Sequence, residues 1–155
     1  SEKLSGTDRL SRASSPSLLY APIGYSLGGG GKRLRPMLVM LSCGIFSDQI
    51  QSALPAAAAV EMFHNFTLLH DDIMDNAAMR RGKPSVFARW GQNVAILSGD
   101  AMLICAYRLL SGVPAHLLPQ ILATSTRWRS RCARASNTTW TSSRNRRFRW
   151  WSTCT

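Results

Sequence analysis

Residues 55–75 read PAAAAVEMFHNFTLLHDDIMD, an apolar stretch that runs directly into a cluster of carboxylates. Proline suits the first turn of a helix, and alanine has the highest helix propensity. Within this stretch, neither glycine nor proline, the residues that break helices, occurs after Pro55. Apolar side chains recur about every 3.6 residues. The larger side chains with this spacing are Val60, Phe63, Thr67, Leu68 and Met74. The pattern predicts a helix over Ala56–Met74.

Three further helices are predicted around this one. They cover Tyr20–Leu27, Met37–Phe46 and Asn93–Leu110. Glycines 28–31 separate the first two, Pro36 suits the first turn of the second, and residues 111–114 end the third. Residues 82–84 are predicted to form a loop, and no alternating strand pattern of useful length occurs. The fold class is therefore predicted to be all-α.

Three carboxylates lie at the end of the central helix. Asp71 and Asp75 are four residues apart, which places them one turn apart on one helix face, and Asp72 flanks them. Carboxylates this close repel one another unless a cation lies between them. Mg²⁺ binds through one or two carboxylates together with substrate phosphates. The cluster therefore favours a Mg²⁺-bridged diphosphate.

Basic side chains surround this acidic cluster in the sequence. They are His64 two turns before Asp71, Arg80 and Arg81 after the helix, and Lys32, Arg33 and Arg35 in the glycine-rich turn. Guanidinium groups suit bidentate phosphate contacts, and a turn leading into a helix is another good phosphate site. Two cationic groups and one acidic group in a small domain favour a site for two phosphorylated ligands.

Each feature alone also has a structural explanation. An acidic helix end is commonly just solvated, and a lone histidine such as His64 is more often an ordinary core or surface residue. The basic turn is most simply a solvated surface, and Phe63 and Phe66 are most simply core residues. The joint order and spacing of the features is what favours a binding site.

Four segments, in order, resemble the trans-isoprenyl diphosphate synthases. They are GGKRLRP at 30–36, EMFH at 61–64 with LHDDIMD at 69–75, MRRGKP at 79–84, and AILSGDAM at 95–102. The resemblance extends from about Leu19 to about Gln120. It implies the N-terminal helices of the isoprenoid synthase helical-bundle fold, and a prenyltransferase that joins isopentenyl diphosphate to an allylic diphosphate.

The resemblance also implies roles for the matching residues. The catalytic carboxylates would be Asp71, Asp72 and Asp75, with Asp71 and Asp75 holding Mg²⁺ on the allylic diphosphate. Arg80 would contact that diphosphate. The residues implied for isopentenyl diphosphate are Lys32, Arg35, His64 and Arg81. Phe66, five residues before Asp71, would floor the product tunnel and favour a short product of about farnesyl to geranylgeranyl length.

The net charge of +11 is concentrated in the last part of the chain. Residues 1–120 hold 11 Lys/Arg and 8 Asp/Glu, a net charge of +3, whereas residues 121–155 hold 8 Arg and no acid. The predicted organisation is a poorly ordered segment 1–18, a partial synthase domain 19–120 and a basic Arg/Trp/Ser-rich tail 121–155. A tail that binds nucleic acid or a membrane is an alternative, because Arg interleaved with Trp suits both.

The tail also has the character of a shifted reading frame. The last base of a Trp codon with the first two of a Thr codon spells Asp, so Trp140-Thr141 forces Asp in the adjacent frame. Across residues 133–143 that frame permits E-G-Q-Q-Y-D-M-D-F-E, which resembles the Gly-Gln-x-x-Asp segment in the second half of the synthases. We therefore expect a truncated chain with weak activity or none.

Other functions remain open from the sequence. The chain could be a non-catalytic partner subunit of a complete synthase or a fragment of a class I terpene cyclase. The implied partners are the two diphosphate substrates and a second copy of the full-length enzyme, without nucleic acid or a membrane span. Four widely spaced cysteines show no metal or disulfide spacing, which favours the cytoplasm.

Overall fold

The computed structural model describes the backbone of residues 17–142 and the side chains of residues 18–134. The chain divides into two units, Ser1–Val113 and Pro114–Thr155. The expectation of poor order over 1–18 falls almost entirely outside the described residues. The expected domain boundary at residue 120 stays a prediction.

The first unit is built from helices and one short hairpin. The helices are α1 (Ser17–Gly28), α2 (Leu34–Phe46), α3 (Leu54–Met74), α4 (Val86–Trp90) and α5 (Gln92–Leu110), with a 3₁₀ turn at Ile50–Ala53. The hairpin pairs β1 (Met79–Arg80) with β2 (Lys83–Pro84) in antiparallel fashion. The four predicted helices are therefore present within three residues of their expected ends, and Pro36 and Pro55 both lie in first turns.

Helix α3 is the centre of this unit and packs against α5, α2 and α1. Its Met62 is 1 % exposed, and Met102 of α5 is fully buried beside Ala95 and Ala106. Small alanines suit close packing of two helices, and flexible methionines fill irregular spaces in such a core. This packing holds the carboxylate-bearing end of α3 in a fixed orientation.

Sequence patterning missed the hairpin and α4 in this unit, and the loop predicted over residues 82–84 is wrong at Lys83 and Pro84, which form β2. Arg81 and Gly82 both have positive φ, 52° and 76°, the combination that a tight two-residue hairpin turn requires. Ser85 is the N-cap of α4, because its hydroxyl accepts a hydrogen bond from the Ala88 N–H at 3.0 Å. The same hydroxyl donates to the Ala77 carbonyl at 2.6 Å. Two-residue strands are too short to produce a periodic signal.

The second unit corrects one expectation. No regular structure was predicted after Thr124, whereas helix α6 covers Leu118–Ser142. Arginine and alanine are good helix formers, and neither glycine nor proline occurs after Pro119. Ile121, Ser125 and Cys132 are shielded from solvent at helical spacing, so the helix has one protected face even though apolar side chains are few.

Helix α5 is, among the described residues, the single helix whose length and composition would allow it to cross a membrane. Core helices of folded proteins pass the same test, and α5 contributes Ala95, Met102 and Ala106 to the core described above. The expected lack of a membrane span stays a prediction.

Candidate active site

The acidic cluster, Asp71, Asp72 and Asp75, lies at the C-terminal end of α3. Asp72 is 4 % exposed, Asp71 is half-buried, and Asp75 is exposed as the first residue beyond the helix. The Asp75 N–H donates to the Asp71 carbonyl at 2.9 Å, so the helical geometry continues to Asp75 and keeps it one turn from Asp71. The predicted arrangement on one face is thus present.

Arg80 of β1 pairs directly with this cluster. Its Nε donates to Asp72 Oδ1 at 2.8 Å, and its Nη2 lies 3.4 Å from Asp71 Oδ2. Burial alone would lower the pKa of Arg80, but the hydrogen bonds and charge of Asp72 offset this effect and raise the pKa above its ordinary value. Asp72 is therefore engaged by a permanent cation, whereas Asp71 is bonded less closely.

Two carboxyl groups of the cluster, those of Asp71 and Asp72, have pKa values above their ordinary range. Burial, and then the charge of Asp75, raise the pKa of Asp71. Burial also raises the pKa of Asp72, against the opposing effect of Arg80. A cation placed between Asp71 and Asp75 would relieve this repulsion. Within residues 18–134, no three His, Cys, Asp or Glu side chains converge on one metal position, so this pair would need phosphate oxygens to complete a Mg²⁺ shell.

The basic cluster, Lys32, Arg35, His64 and Arg81, gathers around the glycine-rich turn between α1 and α2. Arg81 donates to the Gly30 carbonyl, and its guanidinium lies where a Cβ on Gly31 would come within 3.1 Å of it. Gly31 therefore leaves the space that Arg81 occupies. Lys32 is exposed on the same turn, and Arg35 is half-buried in the first turn of α2.

His64 lies within the field of these cations. Burial, and then the charge of Arg35, lower its pKa to about 4, with Arg81 and Arg33 acting in the same direction and Glu61 opposing them. The imidazole is consequently neutral near pH 7. A neutral imidazole can donate a hydrogen bond to a phosphate oxygen but adds no charge of its own.

Consecutive arginines connect the two clusters. Arg80 on β1 binds the carboxylates of α3, while Arg81 in the hairpin turn binds the glycine-rich turn. Both line one cleft, together with Asp72, over an apolar wall that includes Leu69 and Val86. One member of each cluster, Asp72 and Arg81, therefore reaches the same cleft beside the hairpin.

Phe66 lies on α3, five residues before Asp71. It is half-buried, its ring centroid is 5.4 Å from that of Phe63, and it makes an edge-on contact with His70 at 4.7 Å. The position agrees with either reading made from the sequence, as core packing or as the wall of a product tunnel.

Two polar contacts near the site were not anticipated. The Nε2 of His70 lies 3.7 Å from Asp100 Oδ1, and a Cβ on Gly99 would come within 2.3 Å of the His70 ring, so Gly99 is the space into which His70 fits. Arg33 donates to Glu61, which also accepts from the buried amide of Asn65 at 3.1 Å. The spacing of Glu61 and Asn65 within an apolar helix is a signal that could have revealed the second contact.

The chain is similar to known proteins in both sequence and fold. A family model described as polyprenyl synthetase matches residues 16–135. The chain belongs to the polyprenyl synthetase family. The resemblance inferred from the four motifs is thereby confirmed, and the family match continues beyond residue 120 into α6.

Individual relatives agree with this assignment. The chain is 43 % identical over 114 residues to a geranylgeranyl diphosphate synthase of Cyanophora paradoxa, covering 70 % of this chain and 38 % of the relative. It is 46 % identical over 106 residues to one of Methanosarcina mazei, covering 68 % and 33 %. The polyprenyl synthetases are a family of enzymes, and the relatives are prenyltransferases.

The fold agrees as well. The solved geranylgeranyl pyrophosphate synthetase from the archaeon Geoglobus acetivorans superposes with a TM-score of 0.85 at 32 % identity, covering 95 % of this chain and 48 % of that one. The predicted all-α helical-bundle fold is confirmed. The chain spans only about a third of the length of the curated relatives that it matches.

Proposed function

We propose that this chain carries the diphosphate-binding half-site of an isoprenyl diphosphate synthase, which joins isopentenyl diphosphate to an allylic diphosphate. The observation that carries the proposal is the pair Arg80 and Arg81. Arg80 binds the acidic cluster, and Arg81, a member of the basic cluster, binds the glycine-rich turn. Two anionic ligands would then meet across a hairpin, as a condensation of two diphosphates requires.

The allylic diphosphate would bind at the acidic cluster. Asp71 and Asp75 would hold Mg²⁺ there, as the family generally uses this ion, and Arg80 would contact the same diphosphate. Asp72 holds Arg80 in place through its close hydrogen bond. Bound Mg²⁺ would supply charge neutralisation of the departing diphosphate, and the Arg80 guanidinium would add a directed hydrogen bond to it.

Isopentenyl diphosphate would bind at the basic cluster. Lys32, Arg35 and Arg81 would supply the positive charge, and neutral His64 would add a hydrogen bond. Ionisation of the allylic C–O bond then leaves a cation that attacks the isopentenyl double bond, and loss of a proton forms the product. The apolar walls of α3 and α5 would exclude water from the cation.

The product would be short, of about farnesyl to geranylgeranyl length, with Phe66 as the floor of the tunnel. Replacing Phe66 with Ala in a complete enzyme carrying these residues is expected to lengthen the product, because the ring contacts with Phe63 and His70 would be lost. Thin-layer chromatography of dephosphorylated products measures this. An unchanged product would exclude Phe66 as the floor.

A second function is a subunit that binds another protein. Helix α2 presents an apolar stripe to solvent, with Leu38, Leu41, Ile45 and Phe46 each between 61 % and 88 % exposed. Exposed apolar patches of this kind mark interaction surfaces. The partner would be a complete synthase or a second copy of the enzyme, and a cytoplasmic location would suit both. Co-expression with a complete synthase tests this, and a product length that stays the same would count against it.

We expect the 155 residues alone to turn over slowly or not at all, because the described residues offer only the Asp71–Asp75 pair as protein ligands to Mg²⁺. Binding therefore tests the proposal more directly than turnover. Calorimetric titration with inorganic diphosphate should show saturable binding that strengthens with Mg²⁺. Arg80→Met should remove the Mg²⁺-dependent part and Arg81→Met the Mg²⁺-independent part. The exposed Arg108→Met, in the last turn of α5, should change neither.

The proposal fails if diphosphate binding is absent, or if Arg108→Met weakens it as much as the two hairpin variants do. The latter result would mean that diphosphate responds to net charge alone, as it would with the basic segment after residue 120.

A further inference from the structure

Arg33 has an unusual backbone conformation for its position. It precedes α2 with φ 49° and ψ 32°, in the left-handed region, and makes no side-chain cap for that helix. Glycine adopts this region readily and Asn and Asp do so occasionally, whereas other residues avoid it. Such a conformation persists only where the surroundings hold it in place. The side chain of Arg33 provides that restraint.

The Arg33 guanidinium is bonded on two sides. It donates to the Leu27 carbonyl at 2.5 Å, near the end of α1, and to the carboxylate of Glu61 on α3. Glu61 is 8 % exposed, and Asn65, at 1 %, donates to both its carboxylate at 3.1 Å and its carbonyl at 2.9 Å. A buried carboxylate oxygen thus accepts from both Arg33 and Asn65, and it ties the glycine-rich turn to α3.

We propose that Arg33 and Glu61 are positioning residues for the isopentenyl diphosphate subsite, and that Arg33 is not itself a diphosphate ligand. The inference rests on the proposed function and deepens it. By charge and place in the turn alone, Lys32, Arg33 and Arg35 are alike, and the family resemblance gives Arg33 no role. In the structure, Arg33 is hydrogen-bonded to Glu61 and Leu27. These bonds hold the turn in the conformation that presents Lys32 and Arg35.

The turn is restrained from its other side as well. Arg81 donates to the Gly30 carbonyl and packs against Gly31. A diphosphate that recruits Arg81 would draw its guanidinium away from Gly30, so the Arg33–Glu61 pair is then the remaining anchor of the turn. The positioning role is therefore greatest in the ligand-bound state.

The sign of one substitution separates this role from simple electrostatics. Glu61→Gln removes a negative charge close to an anion site, and Coulomb's law alone predicts tighter anion binding. Loss of positioning predicts weaker binding, because the turn is no longer held. Asn65→Ser gives a second test, which leaves every charge in place and removes the amide that donates to Glu61.

The experiment is calorimetric titration of the 155-residue chain with inorganic diphosphate without Mg²⁺, so that the basic cluster is measured alone. Glu61→Gln and Arg33→Met are each expected to weaken binding about tenfold, because the displaced turn would form about one hydrogen bond fewer to the charged diphosphate. The double variant should be no weaker than Arg33→Met, and Asn65→Ser should weaken binding several-fold. Arg108→Met is the matched charge control, with no expected change. Circular dichroism melts verify that each variant is folded.

Three results would overturn the inference. Binding by Glu61→Gln as tight as wild type or tighter would exclude positioning through Glu61. Strictly additive effects of Arg33→Met and Glu61→Gln would make Arg33 a direct ligand. Wild-type protein that binds no diphosphate would remove the proposed function itself, and this outcome is distinct from the other two because they require an intact wild-type affinity. If Glu61→Gln does not fold, Asn65→Ser decides between the roles, with wild-type affinity counting against positioning.

Discussion

Replacement of His64 by Gln should make the chain relatively more stable in mild acid. Burial and three neighbouring arginines lower the pKa of His64 to about 4 in the folded state, from an unfolded value of 6.5. A depressed pKa means that the unfolded chain binds the proton first, so stability present above pH 6.5 is lost as the pH falls toward 4. Gln keeps hydrogen-bonding capacity and does not titrate.

The magnitude follows from the two pKa values. Between pH 7 and pH 5, linkage gives a loss of about 2 kcal/mol for a fully shielded group. His64 is only half-buried, so solvent screening reduces this loss to about 1 kcal/mol. His64→Gln should therefore gain about 1 kcal/mol relative to wild type on going from pH 7 to pH 5. The acidic cluster titrates in both proteins, so its contribution cancels in the comparison.

Urea denaturation followed by circular dichroism at the two pH values measures the difference, and the exposed His116→Gln is the matched control. An equal pH dependence in wild type and His64→Gln would refute the reasoning, as would a proton titration of the His64 ring by NMR with a midpoint near 6.5. Bound diphosphate should raise the pKa of His64, because an anion would then face the ring.

Further predictions concern stability near the acidic cluster. Gly99→Ala should cost about 1–3 kcal/mol in urea denaturation, because its Cβ would lie 2.3 Å from the ring of His70. Gly28→Ala, where a Cβ meets nothing within 4 Å, should stay within about 0.5 kcal/mol, and equal costs would contradict the role of Gly99. Asp71→Asn should raise stability at pH 7 by about 0.2–0.5 kcal/mol, since it removes the repulsion between Asp71 and Asp75. This gain should vanish below pH 4. If Asp71→Asn and the exposed Asp48→Asn changed stability equally at all pH values, the repulsion between Asp71 and Asp75 would be refuted.

The long helix carrying the carboxylates could be predicted from local sequence alone. Alanine propensity, the proline at its start and the apolar spacing of residues 55–75 all act within a few turns. The same locality placed Asp71 and Asp75 one turn apart. The motifs were also sufficient to identify the family, because residue types at fixed spacing are a property of the chain itself.

The partners of each charged side chain were decided only by the tertiary structure. Arg80 and Arg81 are neighbours in sequence, yet one binds Asp72 and the other Gly30 because a tight hairpin turn intervenes. Likewise, Arg33 differs from the other cations of its turn because Glu61, on another helix, is buried beside it. Helical periodicity reports which residues share a face. It carries no information on contacts between distant segments. Such contacts determine which charged side chains can bind a substrate and which hold the site together.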